Sequence, residues 1–141
     1  MEDPADDPVG VTAAMHRDDR ASPAAGVRLL AAGPGHARAA LTVEARHVNG
    51  HGICHGGYLF LLADTAMAYA SNGHDVPAVA SGADIAFLRP ARLGAELVAE
   101  AAERARSGRS GLYDVTVRDG ATVVAEFRGR TRQVPGLTGA R

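Results

Sequence analysis

Lysine is absent from these 141 residues, cysteine occurs once, no block of basic residues stands out, and no uninterrupted apolar run approaches a membrane span. Each shortage excludes something. One cysteine cannot form an internal disulfide, and the opening "MEDPADDPVG" is acidic where a secretory leader is basic and then apolar, so a reducing cytoplasmic setting is expected. A net charge of −1 and a pI near 6.6 leave no electrostatic footprint for nucleic acid or an anionic membrane. A small or uncharged partner is the natural reading. All 15 basic residues are arginine, a compositional bias rather than a phosphate-binding design. The best apolar candidate for a span is interrupted by Asp64, so no membrane segment is expected.

Apolar residues make up 46% of the sequence and charged residues 22%, ordinary values for a folded domain, and the length suits one such domain. Residues 1–9 read as a mobile N-terminal segment, 10–134 as the domain and 135–141 as a loose tail. A short helix is expected at about residues 9 to 20, ended by Pro23. Two extended segments, roughly 26–32 and 36–45, flank the turn signal Gly33-Pro34-Gly35. Asp119-Gly120 lies between two alternating runs, the strongest local hairpin signal in the chain. Residues 94–106 are ambiguous, since Glu96, Glu100 and Arg104 fall at helical spacing while Leu97, Ala99 and Ala101 alternate with polar neighbours only loosely. Their local propensity favours helix.

The chemistry concentrates in "HVNGHGICHGGYLFLLADTAMAYASNG", residues 47–73. From Gly57 to Asn72 there is no proline or internal glycine, and apolar residues occupy every face, so a helix buried nearly all round is expected, stopped at Asn72-Gly73. Asp64 is its one carboxylate, and an unpaired buried charge is costly. It either joins a structural network or acts as base or nucleophile in a water-poor cleft. The N–H groups at Gly56-Gly57 lack intrahelical partners and can hold a developing oxyanion, although glycines there also suit a plain entry turn. Asp64 follows Gly56 by about 12 Å along the axis at roughly 1.5 Å per residue. One helix cannot offer both to one carbonyl, so if both act, two copies of the helix must contribute, and the active unit is a symmetric dimer. His47, His51 and His55 with Cys54 could suggest zinc, but Gly50 and Gly52 argue against the helix that would align them, and no metal is expected. Cys54 reads as a packing residue, while His36 and His74 read as capping or solvated.

The stretch "HVNGHGICHGGYLFLLADTAMAYASN", followed by "FLRPARLGAELVAEA" and "LYDVTVRD", resembles the PaaI-type acyl-CoA thioesterases of the hotdog superfamily, the group that includes the hydroxyphenylacetyl-CoA thioesterase of phenylacetate degradation. The resemblance implies an α+β hotdog fold in which a curved antiparallel sheet wraps one long helix, with two units joined edge to edge and dimers commonly pairing into a homotetramer. It therefore turns residues 94–106 into a strand against their local propensity. Residue by residue, it implies that Asp64 activates water or attacks the thioester and that the Gly56 N–H of the partner subunit polarises the carbonyl. Asn49 would orient water or the carboxylate, and His55 would help place the carbonyl. Gly57 joins the substrate contact. Relatives that carry Glu at the acidic position have Thr one turn later, where this chain has Ala68, which points to the Asp-using branch.

Coenzyme A enters as part of the substrate and no cofactor is expected. Its phosphates suit Arg106, Ser107, Gly108 and Arg109, with Arg89 second. A solvated turn explains these arginines equally well. The expected reaction is hydrolysis of an aryl-, arylacetyl- or medium-chain acyl-CoA. The alternatives are a hotdog module that binds acyl-CoA without hydrolysing it and an enoyl-CoA hydratase.

Overall fold

The computed structural model describes residues 8–137; the segment 1–9 and the tail 135–141 therefore lie for the most part outside the described residues. The elements run α1 (Gly10–Asp18), α2 (Ala21–Ala25), β1 (Val27–Gly33), β2 (His36–Thr42), α3 (Gly56–Asn72), β3 (Ala78–Phe87), β4 (Glu96–Ser107), β5 (Ser110–Asp119) and β6 (Thr122–Gln133). One antiparallel sheet in the order β1-β2-β4-β5-β6-β3 packs against α3. This is the sheet-and-helix architecture of the hotdog fold.

Local chemistry accounts for most boundaries. β1 and β2 pair from Val27↔Leu41 to Gly33↔His36, leaving Pro34-Gly35 as a two-residue turn with Gly35 at φ 78°. β5 and β6 close the same way at Asp119↔Thr122, with Gly120 at φ 60°. Pro23 does not end a helix. It sits at the third residue of α2, where its missing N–H is one that a first turn leaves unpaired anyway.

Residues 96–107 form β4, not the helix that alanine, glutamate and arginine favour. Leu97, Ala99 and Ala101 are buried against α3, while Glu96 and Glu100 face outward, and the strand is paired on both sides, Ala99 with Ala39 and with Val117. A strand between two others satisfies every backbone group and buries one face, which outweighs a propensity difference of a few tenths of a kcal/mol per residue.

The core lies between the helix-facing side of the sheet and α3, through Leu62, Ala63, Ala66, Met67 and Ala70 against Leu41, Leu97, Val115, Val117 and Phe127. Gly129 leaves room for Met67, since a Cβ there would lie 2.2 Å from its sulfur. The sheet's outer face is polar. Asp114 accepts hydrogen bonds from Arg128 and Arg104, at 2.7 Å each, which hold its carboxyl down to about 2. Arginine or histidine is the cation of every ion pair recorded among the described residues. No helix of the described residues is long and apolar enough to cross a membrane.

Candidate functional site

The loop ahead of α3 is shaped by Asn49. Its side-chain oxygen accepts the N–H groups of His51 (2.9 Å) and Ile53 (3.3 Å), and its backbone pairs with Ile53 and Gly52 around Gly52 at φ 79°. The loop is then pinned to the segment after β3 by Cys54 N–H donating to the Ala91 carbonyl at 2.8 Å. Burial pushes the Cys54 thiol up, consistent with packing rather than reactivity.

The histidines of this stretch go to different partners. His47 is fully buried in a short 3-10 turn, its Nδ1 accepting the Glu44 N–H at 2.9 Å and its Nε2 2.7 Å from the Ala25 carbonyl, with the ring edge-on to Tyr58. Its own carbonyl accepts the His55 N–H at 2.8 Å, so one core histidine ties α2, the loop and the start of α3 together. His51 is exposed. His55 is the N-cap of α3, its Nδ1 accepting the Gly57 N–H at 2.8 Å, which leaves Nε2 to carry the proton of the neutral ring. Among the described residues, no group of three His, Cys, Asp or Glu side chains gathers as a metal site.

That cap corrects the expectation for the glycine pair. The Gly57 N–H is taken by His55 and the Tyr58 N–H by the His55 carbonyl, at 3.0 Å. The Gly56 N–H alone has no partner among the described residues. Gly56 and Asn49 line a cleft of about 530 Å³, walled mainly by apolar groups including Ile53, Leu59, Phe87 and Leu88. The sequence reading missed that wall. Its signal was "FLRPA", two large apolar residues before a proline where β3 runs out, and both Phe87 and Leu88 remain more than half exposed. Arg89 also lines the cleft, with its guanidinium donating to the Val123 carbonyl at 2.7 Å.

α3 is buried on three sides, with a continuous open stripe on the fourth, rather than nearly all round. Leu59, Leu62, Ala63, Ala66 and Ala70 face the core, and Thr65 and Tyr69 meet Ser22 and His16 of the N-terminal segment. Gly57, Phe60, Leu61, Asp64 and Ala68 are left partly or wholly open, as one stripe. Asp64 sits half-buried there, with no hydrogen bond or ion pair from the described residues, and desolvation raises its carboxyl above the usual range. No structural network claims it. Asp64 does not line the cleft that Gly56 opens on, as the separation along the helix requires.

Of the phosphate candidates, Arg89 is thus at the Gly56 end of α3, while Arg106, Ser107, Gly108 and Arg109 lie at the opposite end. Ser107↔Ser110 closes the β4–β5 turn through Gly108-Arg109, with Gly108 at φ 59°. Arg106 donates to His74 Nδ1 at 3.2 Å, and His74 Nε2 lies 2.7 Å from Glu103, which also accepts the Tyr113 hydroxyl at 2.8 Å. His74 is thus neither a cap nor solvated. Arg106 is held in this network, whereas the Arg109 guanidinium has no partner among the described residues. Burial works against the Glu103 charge, but the bonds from Tyr113 and His74 hold its carboxyl below the ordinary value.

Comparison with known proteins agrees with this frame. Residues 51–126 match the model of the thioesterase superfamily. The chain is 42% identical over 128 residues to the acyl-coenzyme A thioesterase PaaI of Escherichia coli, covering 89% of this chain and 91% of that one. The solved structure of Escherichia coli PaaI, from the phenylacetic acid degradation operon, superposes with a TM-score of 0.86 at 40% identity, over 89% of this chain and 92% of that one. A Thermus thermophilus structure gives a TM-score of 0.80, also at 40% identity, over 82% and 98%. With its long helix, its single antiparallel sheet and these matches across most of its length, the chain belongs to the thioesterase superfamily.

Proposed function

We propose that the protein hydrolyses acyl-CoA thioesters to free acid and coenzyme A, in a site built from two copies of α3. The observation that carries this reading is the pairing of one unpartnered N–H, at Gly56 beside an apolar cleft, with one unpartnered carboxylate, Asp64, on the same helix. They are about 12 Å apart at roughly 1.5 Å per residue, too far to serve one carbonyl, so each protomer supplies one half of each of two sites.

In the proposed reaction Asp64 takes a proton from water while the water oxygen bonds to the carbonyl carbon. The oxyanion is held by the Gly56 N–H of the partner subunit, which has no competing acceptor. Collapse breaks the carbon–sulfur bond, and the departing CoA sulfur takes up the proton from Asp64. Water and the thioester suffice, without a cofactor. Asn49 holds the loop at the cleft and keeps its amide for water or the carboxylate, and His55 Nε2–H is a second donor near the carbonyl. Gly57 supports the site through its bond to His55 rather than by touching substrate.

The apolar cleft suits an aryl, arylacetyl or medium alkyl group. In an antiparallel pair, the β4–β5 turn of the subunit that supplies Asp64 lies about 12 Å along the axis from the site, against about 24 Å for the subunit that supplies Gly56, at roughly 1.5 Å per residue. Arg109 of the Asp64-supplying subunit is therefore the better placed phosphate contact, with Ser107, Gly108 and Arg106 around it. The homodimer is the minimal active unit, and pairing of dimers gives the homotetramer. The cytoplasm, where acyl-CoA is met and a lone thiol stays reduced, is the fitting compartment. Free-thiol release from a panel of aryl- and alkyl-CoA esters tests the reading. Turnover lost in Asp64→Asn supports it; no turnover on any ester, or unchanged turnover in that variant, refutes it.

A further inference from the structure

The open stripe of α3 fixes more than the need for a second copy. Gly56, Phe60 and Asp64 are four residues apart and stay within about 80° of one another around the helix. They form one line, with Phe60 midway. In a symmetric pair of antiparallel helices, residues equally far on either side of the axis face each other. If the Gly56 N–H of one copy is to sit across from Asp64 of the other, the twofold axis must pass at the height of residue 60.

Phe60 has the properties that such a position demands. It is 37% exposed in a helix whose other large apolar residues are more deeply covered, and its ring is held edge-on by Phe127 at 5.2 Å. Nothing in the protomer covers its outer side, and neither charge nor hydrogen-bond need keeps a phenyl ring in water. The stripe beside it, with Leu61 and Ala68, carries no cation that could pair with Asp64 from the same chain.

Resting on the two-copy reading above, we infer that Phe60 lies on the twofold axis of the active dimer, meets the same residue of the second copy, and sets the spacing of both sites at once. Each site is then flanked by the same aromatic pair. Phe60 is a positioning residue, and one substitution there disturbs two sites together.

Disulfide trapping reads the register directly. In a Cys54→Ser background, Phe60→Cys places two thiols at the axis, within the roughly 7 Å Cα separation that a disulfide spans. Ala68→Cys places them about 24 Å apart along the helices, at roughly 1.5 Å per residue over twice eight residues. Mild oxidation should convert most of the Phe60→Cys protein, and little of the Ala68→Cys protein, to a covalent dimer. Phe60→Glu, which puts two like charges at the axis, should yield a folded monomer by sedimentation, with turnover lost because each site needs both copies. A Phe60→Cys protein that stays uncrosslinked while Ala68→Cys crosslinks, or a Phe60→Glu protein that remains a fully active dimer, overturns the inference. If the unmodified protein hydrolyses CoA esters in either of those cases, the register fails and the reaction stands. If the disulfide forms but no ester is hydrolysed, the reaction fails and the register stands.

Discussion

Replacing Gly56 with alanine keeps its N–H and tests, with little risk to the fold, whether the reacting carbonyl sits between that donor and the Phe87 wall. Gly56 has no unusual backbone angle, so the change is felt through space, where a Cβ would meet Phe87 Cζ at 2.8 Å. Ordinary contact starts near 3.4 Å, so the ring must retreat by about 0.6 Å. Phe87 is 55% exposed at the end of β3, and such a ring swings aside for well under 1 kcal/mol of stability. Its wall of the cleft moves with it. A displacement of that size next to the reacting carbonyl costs about 100-fold in rate, and outright loss of the donor about 3 kcal/mol. Initial rates with the best CoA ester, followed by thiol release beside a thermal melt, should show a melting temperature within a degree or two of the parent and kcat lower by about two orders of magnitude. Phe87→Ala added to Gly56→Ala should recover part of the loss by making room. Full turnover in Gly56→Ala, or a melt that falls as far as the rate does, would refute the placing of the reacting carbonyl between that N–H and the Phe87 wall.

Asp64→Asn should abolish turnover yet raise the melting temperature at neutral pH. Its carboxyl binds a proton more tightly folded than unfolded, so stability falls as pH rises between the ordinary and the raised value, and asparagine removes that loss. For the same reason the acid limb of the parent's pH–rate profile should lie above an ordinary carboxylate. Glu103 has the opposite sign: held below its ordinary 4.5, it contributes stability above that pH, which is lost as pH falls through its folded value, and Tyr113→Phe should shrink this acid-side loss in urea melts. His47→Phe leaves the Glu44 N–H and the Ala25 carbonyl unpaired in the interior and should cost about 2–4 kcal/mol by denaturant unfolding. Arg109→Ala should raise KM for CoA esters several-fold with kcat nearly unchanged.

How much was legible depended on how local the cause was. The hairpin turns at Gly35 and Gly120 announced themselves through glycine at positions needing positive φ, and α3 through a mostly apolar run without proline or internal glycine, ended at Asn72-Gly73. The incompatibility of Gly56 and Asp64 within one site followed from helical rise alone. β4 was not legible locally, because alanine, glutamate and arginine describe a good helix and only the neighbours β2 and β5 make it a strand. The same holds for side chains whose partners are distant in sequence. His74 meets Glu103, and the Phe87 ring crosses to Gly56, over separations that no window of sequence reports. Capping by His55 lay closer to reach, since a histidine directly before Gly-Gly is placed to accept a first-turn N–H.

Building its ion pairs on guanidinium and imidazole has a consequence for a protein that handles activated acyl groups. Thioesters acylate free amines, and the lysine ε-amino group is the usual protein target. Arginine stays protonated far above neutral pH and offers no such nucleophile. With no lysine anywhere in these 141 residues, the surface offers acyl-CoA no side-chain amine to acylate. Its charge pattern, and the Arg104–Asp114–Arg128 clamp with it, cannot be eroded by acyl transfer to lysine.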